Sequence, residues 1–134
     1  MIAVDTSVVV AAFASWHDGH RSAAEALARK PRIPAHVVIE SFSVLTRLPA
    51  PHRSPPEVVE TFLREHFPQA PLSLPATALQ ALVRAAVAAR ISGGAIYDAL
   101  IAETVKRAGG TLLTRDRRAV PTYERFAVRF ELIA

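Results

Sequence analysis

The first ten residues constrain the fold more than any other stretch of the chain. The apolar run 2–4 stops at Asp5-Thr6-Ser7 and resumes at 8–10. Because both faces of such a run are apolar, it is typical of a buried parallel strand. We therefore expect Asp5 at the carboxyl end of a core strand, where α/β sheets open into a ligand crevice. A carboxylate buried there without a cation would cost several kcal/mol, so we interpret Asp5 as a metal ligand.

Composition indicates an ordinary globular protein. Hydrophobic residues make up 51% of the 134 positions and charged residues 21%, and no apolar stretch reaches the roughly eighteen residues that a membrane span needs. This length predicts a single domain over residues 1–134. The start carries no basic, leader-like segment and the chain contains no cysteine. We expect a cytoplasmic protein without disulfides, thiolate metal sites or membrane contact.

The charge of the chain is compatible with a polyanionic partner. The formal net charge is +4 and the sequence pI is near 10.3, which favours encounter with nucleic acids. All but two of the 16 basic residues are arginines, however, and they are scattered along the chain. A GC-rich genome produces the same composition, so charge alone does not establish nucleic-acid binding.

Short apolar runs alternate with helical patterns along the chain. Strands are predicted at 2–4, 111–113 and 128–133, with very short ones at 31–34 and 72–74. Helices are predicted from a Thr6 or Ser7 cap to residue 14, and at 20–30, 35–48, 55–67, 77–90 and 95–108. Prolines between 49 and 56 mark a connection. This alternation predicts an α/β fold with a short-stranded parallel sheet flanked by helices on both faces.

Three glutamates are explained by ordinary surface ion pairs. Each precedes an arginine by four positions on a predicted helix, a spacing that contributes a few tenths of a kcal/mol. The pairs are Glu25–Arg29, Glu60–Arg64 and Glu103–Arg107.

Glu40 and Asp98 lack such an explanation. Both lie in apolar helical runs, and we find no basic residue three or four positions away that would neutralise them. Burial raises the pKa of an unpaired acid unless a cation compensates. Two simpler interpretations stay open: Asp98 could occupy the positive end of a helix that starts after Gly94, and Glu40 could reach solvent.

Asp116 follows a predicted strand in the same way as Asp5. Alone it would be typical of a turn or helix cap. The chain contains only four aspartates, however, and three of them, together with Glu40, lie at strand exits or on apolar helical faces. Four carboxylates without histidine or cysteine partners favour Mg²⁺ or Mn²⁺ over zinc. We therefore predict Asp5, Glu40, Asp98 and Asp116 as metal-binding and catalytic residues.

Four motifs in this order resemble the PIN-domain nucleases, and at this length the chain most resembles the VapC toxins of bacterial toxin–antitoxin pairs. The motifs are Val4-Asp5-Thr6-Ser7, Glu40 in the third helix, Tyr97-Asp98-Ala99-Leu100-Ile101-Ala102 and Leu113-Thr114-Arg115-Asp116. The resemblance spans residues 1 to about 130 and implies a three-layer α/β/α PIN-like fold. The sequence departs from many relatives in one place, because Arg117, Arg118 and Ala119 follow Asp116 where those relatives carry a further acid.

The resemblance implies a Mg²⁺-dependent endoribonuclease, in which Mn²⁺ could substitute. The four acids would form the metal pocket, and the hydroxyls of Ser7 and Thr114 would orient carboxylates or water. A divalent ion lowers the pKa of the water that it binds and offsets the charge that builds on a phosphodiester during in-line attack. The family implies products with 5′-phosphate and 3′-hydroxyl ends and a structured RNA substrate such as transfer or ribosomal RNA.

The resemblance also implies a homodimer and a cognate VapB-type antitoxin whose C-terminal segment enters the acidic pocket. Arg115, Arg117 and Arg118 are candidates for contact with RNA phosphates, although a solvated loop would explain them equally well. The side chains of Trp16, His17, His20 and Tyr97 could contact bases or serve packing alone.

Two other functions compete with the nuclease. A phospho-receiver-like signalling domain also carries aspartates at strand ends, but it needs an acidic pair after the first strand and a lysine after the last. Here Thr6-Ser7 follows Asp5, and the lysines are Lys30 and Lys106. A catalytically silent PIN-like module that binds RNA or protein is the other alternative, and the presence of all four acids argues against it.

Overall fold

The computed structural model describes all 134 residues, Met1–Ala134. Three short strands and seven helices make up the chain, and six of the helices lie between the first strand and the second. The strands are β1 (Ile2–Val4), β2 (Thr111–Thr114) and β3 (Arg129–Leu132). The helices are α1 (Thr6–Phe13), α2 (His20–Ala28), α3 (Ala35–Thr46), α4 (Pro56–His66), α5 (Ala76–Ala88), α6 (Ala95–Arg107) and α7 (Val120–Arg125).

The sheet is parallel throughout, with β2 between β1 and β3. Val4 pairs with Leu113, and Thr114 pairs with Leu132. Isolated parallel bridges extend the sheet beyond β1, because Arg32 bridges to Ala3 and Leu72 bridges to Pro34. The chain therefore moves outward from β1 to residues 32 and 72, then returns to β2 and β3. This reversal between β1 and β2 is the switch point at which open α/β sheets form ligand crevices.

Helices cover both faces of this sheet. Right-handed connections, the rule between parallel strands, place α1–α4 on one face and α5–α7 on the other. The contacts agree: α1 packs on α2 and α3, whereas α6 packs on α5 and α7. Both strands at the switch point are buried, and β1 and β2 contribute Ala3, Val4, Leu112 and Leu113 to one continuous apolar core. The α/β fold with helices on both faces is thus confirmed.

Three local predictions are wrong. The strands predicted at 31–34 and 72–74 are reduced to single bridges, because Pro31, Pro34 and Pro71 lack the N–H that a ladder needs. Asp5, and not Thr6 or Ser7, caps α1 by accepting a hydrogen bond from the Val8 N–H. Helix α7 was not predicted at all, because six residues are too few to show a helical period.

None of the seven helices has both the length and the apolar character required to cross a bilayer.

Candidate active site

The four predicted acids line one cleft of about 400 Å³ at the carboxyl ends of β1 and β2. Asp5 directly follows β1, and Asp116 lies two residues beyond β2. Glu40 projects from the middle of α3 and Asp98 from the first turn of α6. Helices α3 and α6 contact each other, which brings these two carboxylates to the strand ends. The tertiary structure thus joins residues up to 111 positions apart in the sequence.

Asp5 is the most constrained member of the cleft. Its side chain is only 3% exposed, and four donors converge on its carboxylate. Oδ1 accepts from Ser7 Oγ at 2.5 Å and from the Val8 N–H at 3.3 Å. Oδ2 accepts from Tyr123 Oη at 2.9 Å and from the Thr114 hydroxyl. Burial raises the pKa of Asp5 and these hydrogen bonds oppose that rise, so the cleft holds this carboxylate in one fixed orientation.

Ser7 and Thr114 connect Asp5 to the loop that follows β2. Each hydroxyl donates to Asp5 and accepts a backbone N–H from the loop. The Arg115 N–H lies 2.8 Å from Ser7 Oγ, and the Asp116 N–H lies 3.0 Å from Thr114 Oγ1. The two hydroxyls therefore fix the start of the loop, and with it the backbone of Asp116, relative to Asp5.

Glu40 has local partners that the sequence reasoning overlooked. It accepts a hydrogen bond from the Thr6 hydroxyl, and Nε2 of His36, four positions earlier, lies 3.6 Å from Glu40 Oε2. The expectation that no basic residue stands at helical spacing from Glu40 is therefore wrong. His36 stands four positions before Glu40, so its spacing alone indicates the contact. The His36 ring also stacks on Tyr97, with ring centroids 4.9 Å apart.

Asp116 combines a turn role with its place in the cleft. Its Oδ1 accepts the Arg118 N–H at 3.0 Å, and the Arg118 Nε lies 3.8 Å from the same oxygen. The simpler interpretation of Asp116 as a turn residue is thus also correct. The other carboxylate oxygen of Asp116, Oδ2, takes no part in these contacts.

Asp98 interacts electrostatically with the other three carboxylates. Burial raises its pKa to about 6, and the negative charges of Asp116, Asp5 and Glu40 contribute to the rise, in that order. Arg118 is the one cation that opposes the shift appreciably. The position of Asp98 in the first turn of α6 also fits the interpretation that this carboxylate interacts with the positive end of the helix dipole. The cleft therefore concentrates negative charge that the protein itself leaves largely uncompensated.

A divalent cation would relieve this repulsion, and the donor set suits one. All four side chains offer carboxylate oxygens, the ligand type of Mg²⁺ and Mn²⁺. In this arrangement no group of three or more acidic or histidine side chains is close enough together to hold one ion. Mg²⁺ usually binds through one or two carboxylates while keeping several waters, and the cleft has room for such hydrated binding.

Tyr123 is a functional candidate that the sequence did not reveal. It lies on α7, is 1% exposed, and donates its hydroxyl to Asp5. Burial and the nearby carboxylates raise its pKa, which keeps the phenol protonated and able to donate. The signal was weak, since a tyrosine seven residues after Asp116 belongs to no recognisable periodic pattern.

The three candidate arginines lie in different environments. The Arg115 guanidinium packs directly against Gly19, and its Nε donates to the main-chain oxygen of Ala134 at 3.0 Å. Arg117 and Arg118 are exposed, and the Arg118 side chain is 97% accessible. A role in RNA binding remains a prediction for all three, and the geometry favours it for the two exposed ones.

The pKa of Asp98 predicts a pH dependence of stability. A folded-state pKa of about 6, above the ordinary 3.8, means that the folded protein holds this proton more tightly. The stabilisation of the folded state that protonated Asp98 contributes is complete below pH 3.8 and is lost as the pH rises through about 6. Because Asp98 is only half-buried, we expect a loss of about 1 kcal/mol. Thermal unfolding in EDTA between pH 4 and 7 would measure it, with Asp98→Asn as the comparison. An equal decline in both proteins would contradict the assignment.

Comparison with known proteins identifies the family of the chain. The PIN domain family model matches residues 2–125. Ribonuclease VapC40 of Mycobacterium tuberculosis is 49% identical over 133 residues, which cover 99% of each chain. Ribonuclease VapC27 of the same organism is 37% identical over 134 residues, covering 99% of this chain and 97% of that protein.

Solved structures share the fold. Mycobacterium tuberculosis VapC20, described as a sarcin-ricin loop cleaving toxin, matches with a TM-score of 0.68 at 17% identity, covering 90% of this chain and 94% of that one. VapBC2 from Rickettsia felis, bound to a DNA fragment from its promoter, matches with a TM-score of 0.66 at 19% identity over 98% of both chains. The resemblance carried by the four motifs is confirmed. The chain therefore belongs to the PIN domain family and, within it, to the VapC ribonucleases.

Proposed function

We propose that this chain is a Mg²⁺-dependent endoribonuclease that acts as the toxin of a type II toxin–antitoxin pair. The observation that carries the proposal is the meeting of Asp5, Glu40, Asp98 and Asp116 in one cleft at the switch point of the sheet. Their mutual repulsion creates a site for a divalent cation, and membership of the VapC ribonucleases supports RNA as the substrate.

One or two of the four carboxylates would hold the hydrated ion directly, the others would face it across its waters, and Mn²⁺ could replace Mg²⁺. When bound, the ion supplies positive charge that offsets the charge developing on the phosphodiester and favours deprotonation of water. Asp5 would be the fixed ligand, because Ser7, Thr114, Tyr123 and Val8 already orient it. Glu40 and Asp98, on two different helices, would adjust to the ion and to the substrate.

A structured RNA, such as transfer or ribosomal RNA, is the proposed substrate. VapC20 carries sarcin-ricin loop cleavage in its description, which supports this class at the level of the shared fold. The exposed Arg117 and Arg118 beside Asp116 could meet the phosphates that flank the cut.

The proposed partners are a second copy of this chain and a VapB-type antitoxin. The VapBC2 structure supports the second partner at the level of the fold. The uncompensated negative charge around Asp98 also suits an arginine from an antitoxin tail, because a guanidinium can pair with a carboxylate through two hydrogen bonds.

The geometry gives no support to a phospho-receiver function. Lys106 does not line the acidic cleft, since its ammonium group bonds to the Phe126 carbonyl at 2.9 Å and pairs with Glu103 at 3.1 Å. Lys30 lies at the other end of α2 from the loop that carries His17.

The test is cleavage of total RNA by the purified chain in Mg²⁺, in Mn²⁺ and in EDTA. We expect discrete fragments with 5′-phosphate ends in either metal and none in EDTA. A parallel thermal-unfolding titration with Mg²⁺ should raise the Tm, because an ion that binds only the folded protein stabilises it. Cleavage that persists in EDTA would refute metal dependence. RNA binding without cleavage in either metal would favour the catalytically silent module.

A further inference from the structure

Two pairs of stacked rings lie at opposite ends of α3, next to the acidic cleft. Tyr97 stacks on His36, in the first turn of α3. Trp16 stacks on His52, six residues after α3 ends. Glu40 and Val44, between the two ends, line the cleft itself. Because a helix rises about 1.5 Å per residue, the ends of the 12-residue α3 are roughly 18 Å apart, and the two ring pairs lie on either side of Glu40 along α3.

The Tyr97 pair is held in a defined orientation. Its ring and that of His36 are nearly parallel, with an interplanar angle of 3° and centroids 4.9 Å apart. Tyr97 nevertheless remains 51% exposed. Asp98 is its immediate neighbour in the chain, and His36 is 3.6 Å from Glu40. The Tyr97 ring therefore lies at the edge of the cleft, linked to Glu40 through His36.

The Trp16 pair has the same character. The indole and the His52 ring have centroids 3.9 Å apart at an angle of 29°, and the His17 ring lies 5.9 Å from the indole. Trp16 is also 51% exposed, and His17 lines the acidic cleft. His20 differs, because its ring bonds to the Ala11 carbonyl at 3.0 Å and serves packing.

We propose that Trp16 and Tyr97 are the residues that stack against unpaired bases of the RNA on the two sides of the cut. This inference rests on the nuclease function proposed above. Exposed aromatic rings bind bases by their flat faces, which a double helix hides within its own stack. Each histidine holds its partner ring in place before binding, which lowers the entropy lost on association. Arg117 and Arg118 supply positive charge for the backbone.

The chain offers a direct probe, because Trp16 is its only tryptophan. An Asp5→Asn background in EDTA prevents cleavage during the measurement. Titration with a ten-nucleotide single-stranded RNA should quench the indole fluorescence, whereas a duplex of equal length should leave it nearly unchanged. Equal quenching by the duplex and the single strand would overturn the inference.

Affinity measurements test the two rings separately. With a labelled single-stranded RNA, we expect Trp16→Ala and Tyr97→Ala each to weaken binding about tenfold, since one base stack contributes about five- to 150-fold in affinity. Trp16→Phe and Tyr97→Phe should restore most of the affinity. Phe42→Ala serves as the matched control, because Phe42 is partly exposed on α3 but lines a different groove.

Unchanged affinity in both alanine variants would overturn the inference. Cleavage by the unsubstituted protein in Mg²⁺ is scored separately. If the unsubstituted protein cuts the RNA and both alanine variants bind it with normal affinity, only the stacking proposal is refuted. If the RNA binds through the two rings but the unsubstituted protein never cuts it, only the nuclease proposal is refuted.

Discussion

Asp5→Asn is expected to lower RNA cleavage on the order of a thousandfold, the range seen when a preorganised electrostatic contact is removed from an active site. The substitution removes one negative charge from the most constrained position in the cleft while keeping the shape of the side chain. The amide oxygen can still accept from the Val8 N–H, and the amide nitrogen can donate to the Thr114 or Tyr123 hydroxyl after those hydroxyls rotate. The fold should therefore survive.

Single-turnover cleavage rates with a defined RNA would measure the effect, with thermal unfolding as the check on folding. Glu60→Gln is the matched control, because Glu60 is an exposed acid whose partner is Arg64 on the same helix. We expect the control to cleave at the unsubstituted rate. An Asp5→Asn protein that retains more than a tenth of that rate would remove Asp5 from the proposed metal site.

Leu113→Ala is expected to destabilise the protein by about 2–5 kcal/mol, the usual result of opening a cavity beneath a fully buried leucine. Leu113 is 0% exposed in the central strand. It pairs with Val4, and its carbonyl accepts the Asp5 N–H at 3.2 Å. For a chain of this size the loss corresponds to a Tm lower by roughly 10 °C or more.

Leu79→Ala is the matched control for this experiment. Leu79 is 43% exposed on α5, so the same change of side chain should alter the Tm by only a degree or two. Differential scanning calorimetry in EDTA would compare the two variants. A Leu113→Ala protein no less stable than Leu79→Ala would show that the core beneath the acidic cleft does not hold the two strands together as the structure implies.

The acids could be identified from sequence because three simple signals coincided. Asp5 interrupts an apolar run and Asp116 follows one, and a carboxylate at the end of a buried strand needs a partner. Glu40 and Asp98 stand inside apolar helical patterns without an arginine or lysine at helical spacing. The common place of Asp5 and Asp116 follows from parallel strands, whose carboxyl ends meet at one edge of a sheet, whereas the contact between α3 and α6 brings Glu40 and Asp98 there.

The structural features that the sequence did not predict are short elements or contacts between polar side chains. Helix α7 spans only six residues, so the period that would identify it is absent, and Tyr123 was missed with it. The proximity of His36 to Glu40 was not predicted, because arginine and lysine are the usual partners of a glutamate at helical spacing. The bridges at Arg32 and Leu72 fell short of strands because neighbouring prolines remove the donors that a ladder requires.

The order of apolar and polar residues determined by itself the α/β class, the buried first strand and the four acids, because those properties depend on local periodicity and on the high cost of burying an unpaired charge. Only the tertiary structure decided which donors surround Asp5, how burial and the other carboxylates raise the pKa of Asp98, and that Trp16 stacks on His52 and Tyr97 on His36. Hydrogen bonds, Coulomb interactions and ring stacking all depend on distances of a few ångströms between residues far apart in the chain, and no local pattern encodes those distances.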